Sequence, residues 1–377
     1  MAADSFRALY LHVPFCVQRC AYCDFHTRAV PCDDSALDAY AESLSSDLAG
    51  AAERDDLDSI ETVYIGGGTP SFLGASRLER LLCVLETSLD TRSLSEFTVE
   101  ANPDSLSSEV LEVLAGHGVN RLSIGVQSLD DDVLAVLGRV HDAKAALEAI
   151  EMARAAVGNV SADVICGVPG QSAETLRRTV GQLVDAGVAH VSVYPLMIEE
   201  GTPLFRAVED GSMPDVDEDV QADHMLLVRD ALDAAGYTRY EVASHALPGF
   251  ESLHNKMYWT GSSYLGLGDG ASSMRNQPDG SRVRWTLAGG DVEDEVLDAR
   301  QAACEDAMLA MRLVEGISRG RLAECIDRAP ALREAVDEVV SLGLAEWTTS
   351  SLAPTERGWL MGNELYGRLW AAAELDE

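Results

Sequence analysis

Basic residues are scarce in this 377-residue chain. It has 28 Lys and Arg against 63 Asp and Glu, a formal net charge of −35, and only Lys144 and Lys256 are lysines. A surface this acidic repels phosphate backbones, so we expect no nucleic-acid partner. A cytoplasm of high salt would produce such a balance, and so would selection for solubility combined with a bias towards Arg.

Long apolar runs are also missing. No stretch approaches the roughly 18 residues that a membrane span needs. The opening residues, Met-Ala-Ala-Asp-Ser-Phe-Arg, contain no apolar signal-peptide core. We therefore expect a cytoplasmic protein with no stable membrane span.

Of the eight cysteines, only three are closely spaced. Cys16, Cys20 and Cys23 form a C-x3-C-x2-C pattern directly after an apolar run. A structural zinc site usually needs four ligands, commonly as two C-x2-C pairs, and no second pair exists here. Disulfides would require an oxidising compartment. Three thiolates on one loop can instead hold three irons of a [4Fe–4S] cluster and leave the fourth iron open, so the triad predicts such a cluster.

Strand-like and helix-like segments alternate from residue 8 to about 195, as in βα units around a parallel sheet. The predicted strands are Ala8–Val13, Thr62–Ile65, Glu96–Glu100, Arg121–Val126, Ser161–Ile165 and His190–Tyr194. The predicted helices are Ser35–Leu48, Ser76–Leu89, Ser107–His117, Ala143–Ala156 and Ala173–Ala186. Six such units predict an α/β fold with a partial (β/α)6 barrel of the TIM type over residues 1–200.

Two further regions come after the predicted barrel. Residues 201–295 are interpreted as a barrel extension and linker, with a long acidic helix near Asp217–Ala235. Residues 296–377 predict three helices and a β-ribbon near Ala345–Leu352, typical of a winged-helix-like helical domain. Its charge is not basic, which argues against DNA binding.

Polar residues and glycines stand at the ends of the predicted strands, where such barrels carry their active residues. Each is ambiguous alone, and Glu100 could equally be a solvated rim carboxylate. Together they predict a bowl that fits a zwitterionic nucleoside. The residues are Gly67, Gly68, Thr69, Glu100, Gln127, Arg139 and Asp163.

The cysteine spacing resembles that of the radical S-adenosylmethionine (SAM) enzymes, in which the amine and carboxylate of SAM chelate the open iron. Six further segments resemble, in the same order, those of the oxygen-independent coproporphyrinogen III oxidases and their relatives. They are Tyr-Leu-His-Val-Pro-Phe-Cys, Gly-Gly-Gly-Thr-Pro-Ser, Glu-Ala-Asn-Pro, Ser-Ile-Gly-Val-Gln-Ser, Gly-Val-Pro-Gly-Gln and His-Asn-x-x-Tyr-Trp. The resemblance covers nearly the whole chain. It implies SAM contacts at Tyr10, Gly67, Gly68, Thr69, Glu100, Gln127, Arg139 and Asp163.

Two branches of that family differ at the cluster loop. The oxidases resemble C-x3-C-x2-C-x-C, whereas Phe25 stands at the position of the fourth Cys here, and only nine residues precede Tyr10. The haem-chaperone branch has Asp-Phe at this place and also carries the His-Asn-x-x-Tyr-Trp pattern, present as His254 to Trp259. The resemblance therefore implies a haem-binding protein that delivers haem to an acceptor protein, whose identity the sequence does not give.

An exposed imidazole can ligate haem iron, and this pattern predicts His254 as the ligand, on a mobile loop after the barrel, with Tyr258 and Trp259 covering a porphyrin face. A lone histidine is more commonly a hydrogen-bonded structural residue in a loop, and His245 and His26 are other candidate ligands. Two other functions stay open at this point. One is oxidative decarboxylation of a porphyrinogen, and the other is radical SAM chemistry on an unrelated substrate.

Overall fold

The computed structural model describes residues 4–374. The outermost parts of the predicted first and last domains, residues 1–3 and 375–377, lie outside this range. In chain order the strands are Ala8–Val13 (β1), Phe15–Cys16 (β2), Arg28–Ala29 (β3), Thr62–Gly67 (β4), Glu96–Ala101 (β5), Arg121–Gln127 (β6), Val160–Cys166 (β7), His190–Pro195 (β8), Thr238–Arg239 (β9), Ser244–Ala246 (β10), Tyr264–Leu267 (β11), Ser272–Asn276 (β12), Arg282–Ala288 (β13), Asp291–Leu297 (β14), Ile317–Ser318 (β15), Ala345–Trp347 (β16) and Ser351–Pro354 (β17).

The α-helices connect and cover these strands. In chain order they are Ser35–Glu53 (α1), Ala75–Ser88 (α2), Ser108–Gly116 (α3), Asp131–Val136 (α4), Ala143–Ala156 (α5), Ala173–Asp185 (α6), Pro203–Glu209 (α7), Glu218–Ala234 (α8), Leu253–Trp259 (α9), Ala299–Ala310 (α10), Arg319–Arg328 (α11), Leu332–Ser341 (α12), Glu356–Leu360 (α13) and Gly362–Ala371 (α14).

One twelve-stranded sheet organises the first three quarters of the chain. Its order is β14-β13-β12-β11-β1-β4-β5-β6-β7-β8-β10-β9. The six strands predicted for the barrel, β1 and β4 to β8, are adjacent and parallel. Because the carboxyl ends of parallel strands meet at one edge, the loops after these strands converge on a single site.

Helices form between the strands where an N-cap residue precedes apolar residues at helical spacing. In α5 the Asp142 side chain accepts a hydrogen bond from the Ala145 amide, and Ala146, Ala149, Ile150 and Ala153 are buried along one stripe. This spacing of three and four residues gives the helix an apolar face against the sheet. Gly158 comes after the helix with φ of 83°, a conformation that favours glycine at a helix end.

The last quarter of the described chain has its own core. Helices α10 to α14 surround buried residues that include Leu322, Val339, Leu352 and Leu369. The three short strands pair in the order β15-β17-β16. The unit is predominantly helical with a small antiparallel sheet.

The predicted α/β fold, with six adjacent parallel strands and a predominantly helical C-terminal unit, is confirmed by this architecture. Strand β1 and helix α5 have the predicted bounds, and the other predicted barrel elements differ by a few residues at their ends. The region from Tyr264 to Leu297, nearly all of it in the predicted barrel extension and linker, forms four consecutive strands, β11 to β14. Among residues 4–374, no helix combines the length and the apolar character required to cross a membrane.

Candidate cluster and cofactor site

The cysteine loop begins at Cys16, the last residue of β2, and continues through Cys20 and Cys23 to β3. It is fixed to two other parts of the fold, because the Ala21 amide donates to the Leu137 carbonyl at 3.0 Å and the Leu204 amide donates to the Ala21 carbonyl at 2.8 Å. Gly138, with φ of 68°, lets this approach happen, since a Cβ there would lie 3.0 Å from the Ala21 nitrogen. The loop is therefore held in place by backbone contacts.

The three thiols face one cavity of about 550 Å³. Burial raises the pKa of Cys16 to about 11, with a smaller contribution from the neighbouring thiols of Cys20 and Cys23. Burial likewise raises the pKa of Cys23. Thiolates are costly in such a place without a cationic centre beside them, so this donor set fits an iron–sulfur cluster that replaces their protons.

Arg139 connects the cysteine loop to the strand ends. Its guanidinium donates to Cys20 Sγ at 3.2 Å, to Asn102 Oδ1 at 2.7 Å and to the Gly125 carbonyl at 2.8 Å. A planar fork can reach all three acceptors at once, whereas an ammonium group cannot. Arg139 therefore joins Cys20 of the cysteine loop to Asn102 and to the backbone of β6.

Glycines bring the backbone of β4 close to the cysteine loop. A Cβ on Gly68 would lie 2.8 Å from the Phe15 carbonyl oxygen and 3.0 Å from Cys16 Sγ. A Cβ on Gly67, where φ is 116°, would lie 2.5 Å from the His12 ring. Neither position accommodates a larger residue without displacement, which explains the glycine run in physical terms.

Glu100 is held at the centre of the strand ends. Its carboxylate accepts from the Tyr64 hydroxyl at 2.7 Å and from the Gly67 amide at 3.0 Å. Burial raises the pKa of Glu100 to about 7, and the nearby Asp163 adds to the effect. A carboxyl with a pKa near neutrality is a typical feature of binding and catalytic sites.

Asp163 and Gln127 lie on the neighbouring strands. Burial raises the pKa of Asp163 to about 6, although Arg121 opposes the effect, and the Ser123 hydroxyl donates to it at 3.4 Å. Gln127 has φ of 64°, which is uncommon for a residue with a side chain and marks strain at the end of β6. Both side chains line the cavity that holds the three cysteines.

The structure brings together nine of the predicted site residues around this first cavity. They are Cys16, Cys20, Cys23, Gly67, Gly68, Glu100, Gln127, Arg139 and Asp163. Thr69 and Tyr10 do not line it. Thr69 is buried behind Cys16, where its hydroxyl accepts from Asn102 Nδ2 at 2.8 Å and lies 3.4 Å from Cys16 Sγ.

Tyr10 lines a second cavity, of about 610 Å³, that adjoins the first. Phe25, Gly67 and Glu100 line both cavities. The Tyr10 hydroxyl lies 2.9 Å from His12 Nδ1. Tyr258 and Trp259 line this second cavity as well.

His254 does not occupy the exposed loop that the sequence pattern predicted. It lies in helix α9 with no exposed surface, its Nδ1 2.8 Å from the Thr62 hydroxyl and its Nε2 2.8 Å from the Tyr258 hydroxyl. Burial lowers its pKa to about 3. The predicted exposure is wrong because the residue packs between β4 and the aromatic ring of Tyr258.

Sequence reasoning missed several residues that line the first cavity. Asn102 belongs to the Glu-Ala-Asn-Pro segment at the end of β5. Its side-chain amide can both donate and accept hydrogen bonds, so a role in the site could have been inferred in addition to its role in the turn. Tyr194 lies at the end of β8, Met197 follows that strand, and both line the cavity. Tyr194 is 44% exposed and Met197 is 63% exposed. No motif marked them, since their position depends on how β8 ends.

Comparison with known proteins identifies relatives over most of the chain. The Radical SAM superfamily model matches residues 10–183. The chain is 34% identical to the haem chaperone HemW of Lactococcus lactis over 95% of both chains. It is 37% identical to HemW of Mycobacterium tuberculosis, over 94% of this chain and 92% of that one, and 33% identical to HemW of Escherichia coli, over 95% and 96%.

A solved structure also resembles the fold. The coproporphyrinogen III oxidase HemN of Escherichia coli, described as a radical SAM enzyme, superimposes with a TM-score of 0.79. The match covers 98% of this chain and 90% of that one at 18% identity. At this identity the likeness concerns the fold.

Proposed function

Since the chain belongs to the HemW family of radical SAM proteins, we propose that it binds haem and transfers it to an acceptor protein in the cytoplasm. The similarity to three proteins named as haem chaperones, over more than nine tenths of each chain, carries this proposal. These similarities do not identify the acceptor.

The proposal includes a [4Fe–4S] cluster on Cys16, Cys20 and Cys23 and a SAM molecule in the first cavity. When bound, these cofactors supply one-electron chemistry at a sulfonium. The protein contributes the thiol ligands, the Arg139 fork beside Cys20 and two partly buried carboxyls, Glu100 and Asp163, beside the cluster loop. In this proposal Glu100 binds the amine end of SAM and Asp163 binds a hydroxyl pair.

Phe25 supports the chaperone over the oxidase. It stands two residues after Cys23, where the oxidase pattern has a fourth cysteine, and its ring is 64% exposed between the two cavities. Phe25 cannot act as a thiol ligand or redox group. The likeness to HemN therefore supports a common fold without a common reaction.

Two anaerobic measurements on the reconstituted full chain test the proposal. Titration with haem should give a Soret band that saturates. Incubation with SAM, a reductant and coproporphyrinogen should yield no protoporphyrinogen. Turnover of coproporphyrinogen would assign the oxidase reaction instead, and the absence of any haem complex would remove the chaperone function.

A further inference from the structure

We propose that haem binds in the second cavity, with His26 as an axial ligand to its iron. This inference rests on the proposed function and assigns the site of the cargo. It differs from the sequence-based prediction of His254 and uses a residue that comes after the third cluster cysteine.

The accessibility of the histidines separates the candidates. The chain has eight, and all of them lie within residues 4–374. Six are buried, namely His12, His141, His190, His224, His245 and His254. Of the other two, His117 is enclosed between the carboxylates of Glu79 and Glu86, each 3.1 Å away. Only His26 is both half exposed and part of a cavity wall.

The surroundings of His26 are suited to metal ligation. Its Nε2 lies 3.1 Å from Asp269 Oδ2, and Asp269 is itself held by the Gly289 amide at 2.7 Å. A carboxylate on one ring nitrogen orients a ligating histidine and leaves the lone pair of the other nitrogen for the metal.

Space around the imidazole is kept open by a glycine. Gly270, with φ of 93°, also lines the second cavity, and a Cβ there would lie 2.9 Å from His26 Cδ2 and 3.3 Å from His12 Nε2. A larger residue at position 270 would collide with the His26 ring, so glycine there lets the ring lie against the backbone.

The walls of the second cavity fit a large, flat, mostly apolar ligand. They include the rings of Tyr10, Phe25, Tyr258, Trp259 and Tyr264. A volume of about 610 Å³ lies within the range of cofactor sites, which are lined by aromatic side chains with a few polar groups. Aromatic faces of this kind stack on a macrocycle.

Arg284 supplies the positive charge that haem propionates require. It lines the second cavity, is 32% exposed, and pairs with Glu305 and, at 3.6 Å, with Glu295. A propionate can exchange for an exposed glutamate on this guanidinium. The second cavity therefore offers aromatic rings for the macrocycle, His26 for the iron and Arg284 for the propionates.

Variants of three histidines test the site by haem titration of the reconstituted full chain. His26→Ala should lose or shift the Soret band, while iron and SAM binding at the cluster stay at the wild-type level. His254→Asn and the control His117→Ala, at a partly buried histidine that lines neither cavity, should retain the wild-type band. Imidazole added to His26→Ala should restore the band on protein separated from free haem, which a merely structural role would not produce.

Asp269→Asn provides a milder second variant. Loss of a carboxylate that orients a metal-bound histidine typically weakens metal affinity roughly 10- to 100-fold. We expect the haem affinity of Asp269→Asn to decrease by a factor in the same range. If His26→Ala keeps the wild-type Soret band, the assignment of His26 as ligand is overturned, whether or not His254→Asn loses the band. Haem binding by the protein would still hold in that case. Failure of the wild type to bind haem would instead contradict the proposed function.

Discussion

At the residue scale, Arg139 is the side chain that joins cluster and cofactor site. It contacts Cys20, Asn102 and the backbone of Gly125 at the same time. The sequence indicated a cationic group for a carboxylate at this position, and the structure adds the contact with Cys20. That contact was not predictable, because it depends on a loop 119 residues earlier in the chain.

Replacing Arg139 by Lys should impair both functions of the site. Lys keeps the charge but cannot reach three acceptors, so we expect lower iron retention and SAM binding weakened by about 1.5–3 kcal/mol, or roughly 10- to 100-fold. Iron analysis and calorimetry measure the two effects. The control is Arg77→Lys, a partly buried Arg that pairs with Asp38 and lines neither cavity. Equal behaviour of the two variants would remove Arg139 from the site.

Glu100 predicts a pH dependence of SAM binding. Burial raises its pKa to about 7, so the carboxyl is largely protonated below that pH and is then a weaker acceptor for the N–H groups of the SAM amine. SAM affinity should therefore rise several-fold between roughly pH 6.5 and 8, a range in which Asp163, with a pKa of about 6, is already mostly ionised. In Glu100→Gln this rise should disappear. A rise of equal size in the variant would assign the titration to another group.

The raised pKa of Glu100 also affects folding: a rise in pH strengthens SAM binding but lowers the stability of the folded chain. Because the folded chain holds this proton more tightly than the unfolded chain, the contribution of Glu100 to the free energy of unfolding falls as the pH rises from about 4.5 to about 7. The site therefore trades some stability for a carboxyl that responds near neutral pH.

Local patterns predicted the cysteine loop and most of the strand ends, since spacing and strand position determine where those residues point. His254 shows the limit of this reasoning. A motif records which residues occur together, but burial of the His254 ring depends on Thr62, which is 192 residues away. Tyr10, a predicted SAM contact, lines the adjoining cavity, which shares Gly67 and Glu100 with the first.

At the scale of elements, periodicity was sufficient for the barrel and insufficient for the strands after it. The helices of the barrel have clear caps and apolar stripes, as α5 illustrates. Strands β13 and β14 have largely intermediate or exposed residues, so neither alternation nor an apolar run marked them. Strand β13 pairs with β12 on one side and with β14 on the other, which extends the sheet and supplies Arg282 and Arg284.

A buried ion network attaches this strand extension to the C-terminal unit. Arg282 has almost no exposed surface and pairs with Glu305 and Asp306 of helix α10, the latter at 2.7 Å. Its Nε also donates to Asn276 Oδ1 at 2.9 Å. The network lies beside the second cavity, since Glu305 belongs to both.

Arg282→Met should destabilise the protein strongly. Removing one partner leaves two buried carboxylates with less compensation, a change that typically costs about 3–5 kcal/mol. Urea unfolding measures the loss. Arg177→Met is the control, because Arg177 pairs with Glu174 only at the surface, where such a pair contributes about 1 kcal/mol or less. A small effect of Arg282→Met would mean that Arg284 or Arg321 takes over the buried charge.

At the scale of the whole molecule, two adjoining cavities bring the proposed sites together. Phe25, Gly67 and Glu100 separate them, so a ligand in the second cavity lies next to the cluster loop. The strong net negative charge of −35 leaves few cations, and several of these, including Arg139 and Arg284, lie at the cavities. Three of the 26 arginines, Arg19, Arg139 and Arg284, place positive charge beside the thiols and carboxylates of these cavities.

The most direct test is the simultaneous content of cluster and haem in one chain. After anaerobic reconstitution, a three-cysteine site should hold about four non-haem irons, and haem titration should then saturate at about one haem per chain without loss of that iron. Replacing Cys16, Cys20 and Cys23 by Ala should remove the cluster iron and its absorbance, whereas Cys32→Ala, an exposed cysteine outside both cavities, should not. Haem that displaces the cluster iron, or a wild-type chain that binds no haem, would contradict a haem chaperone that carries both groups at once.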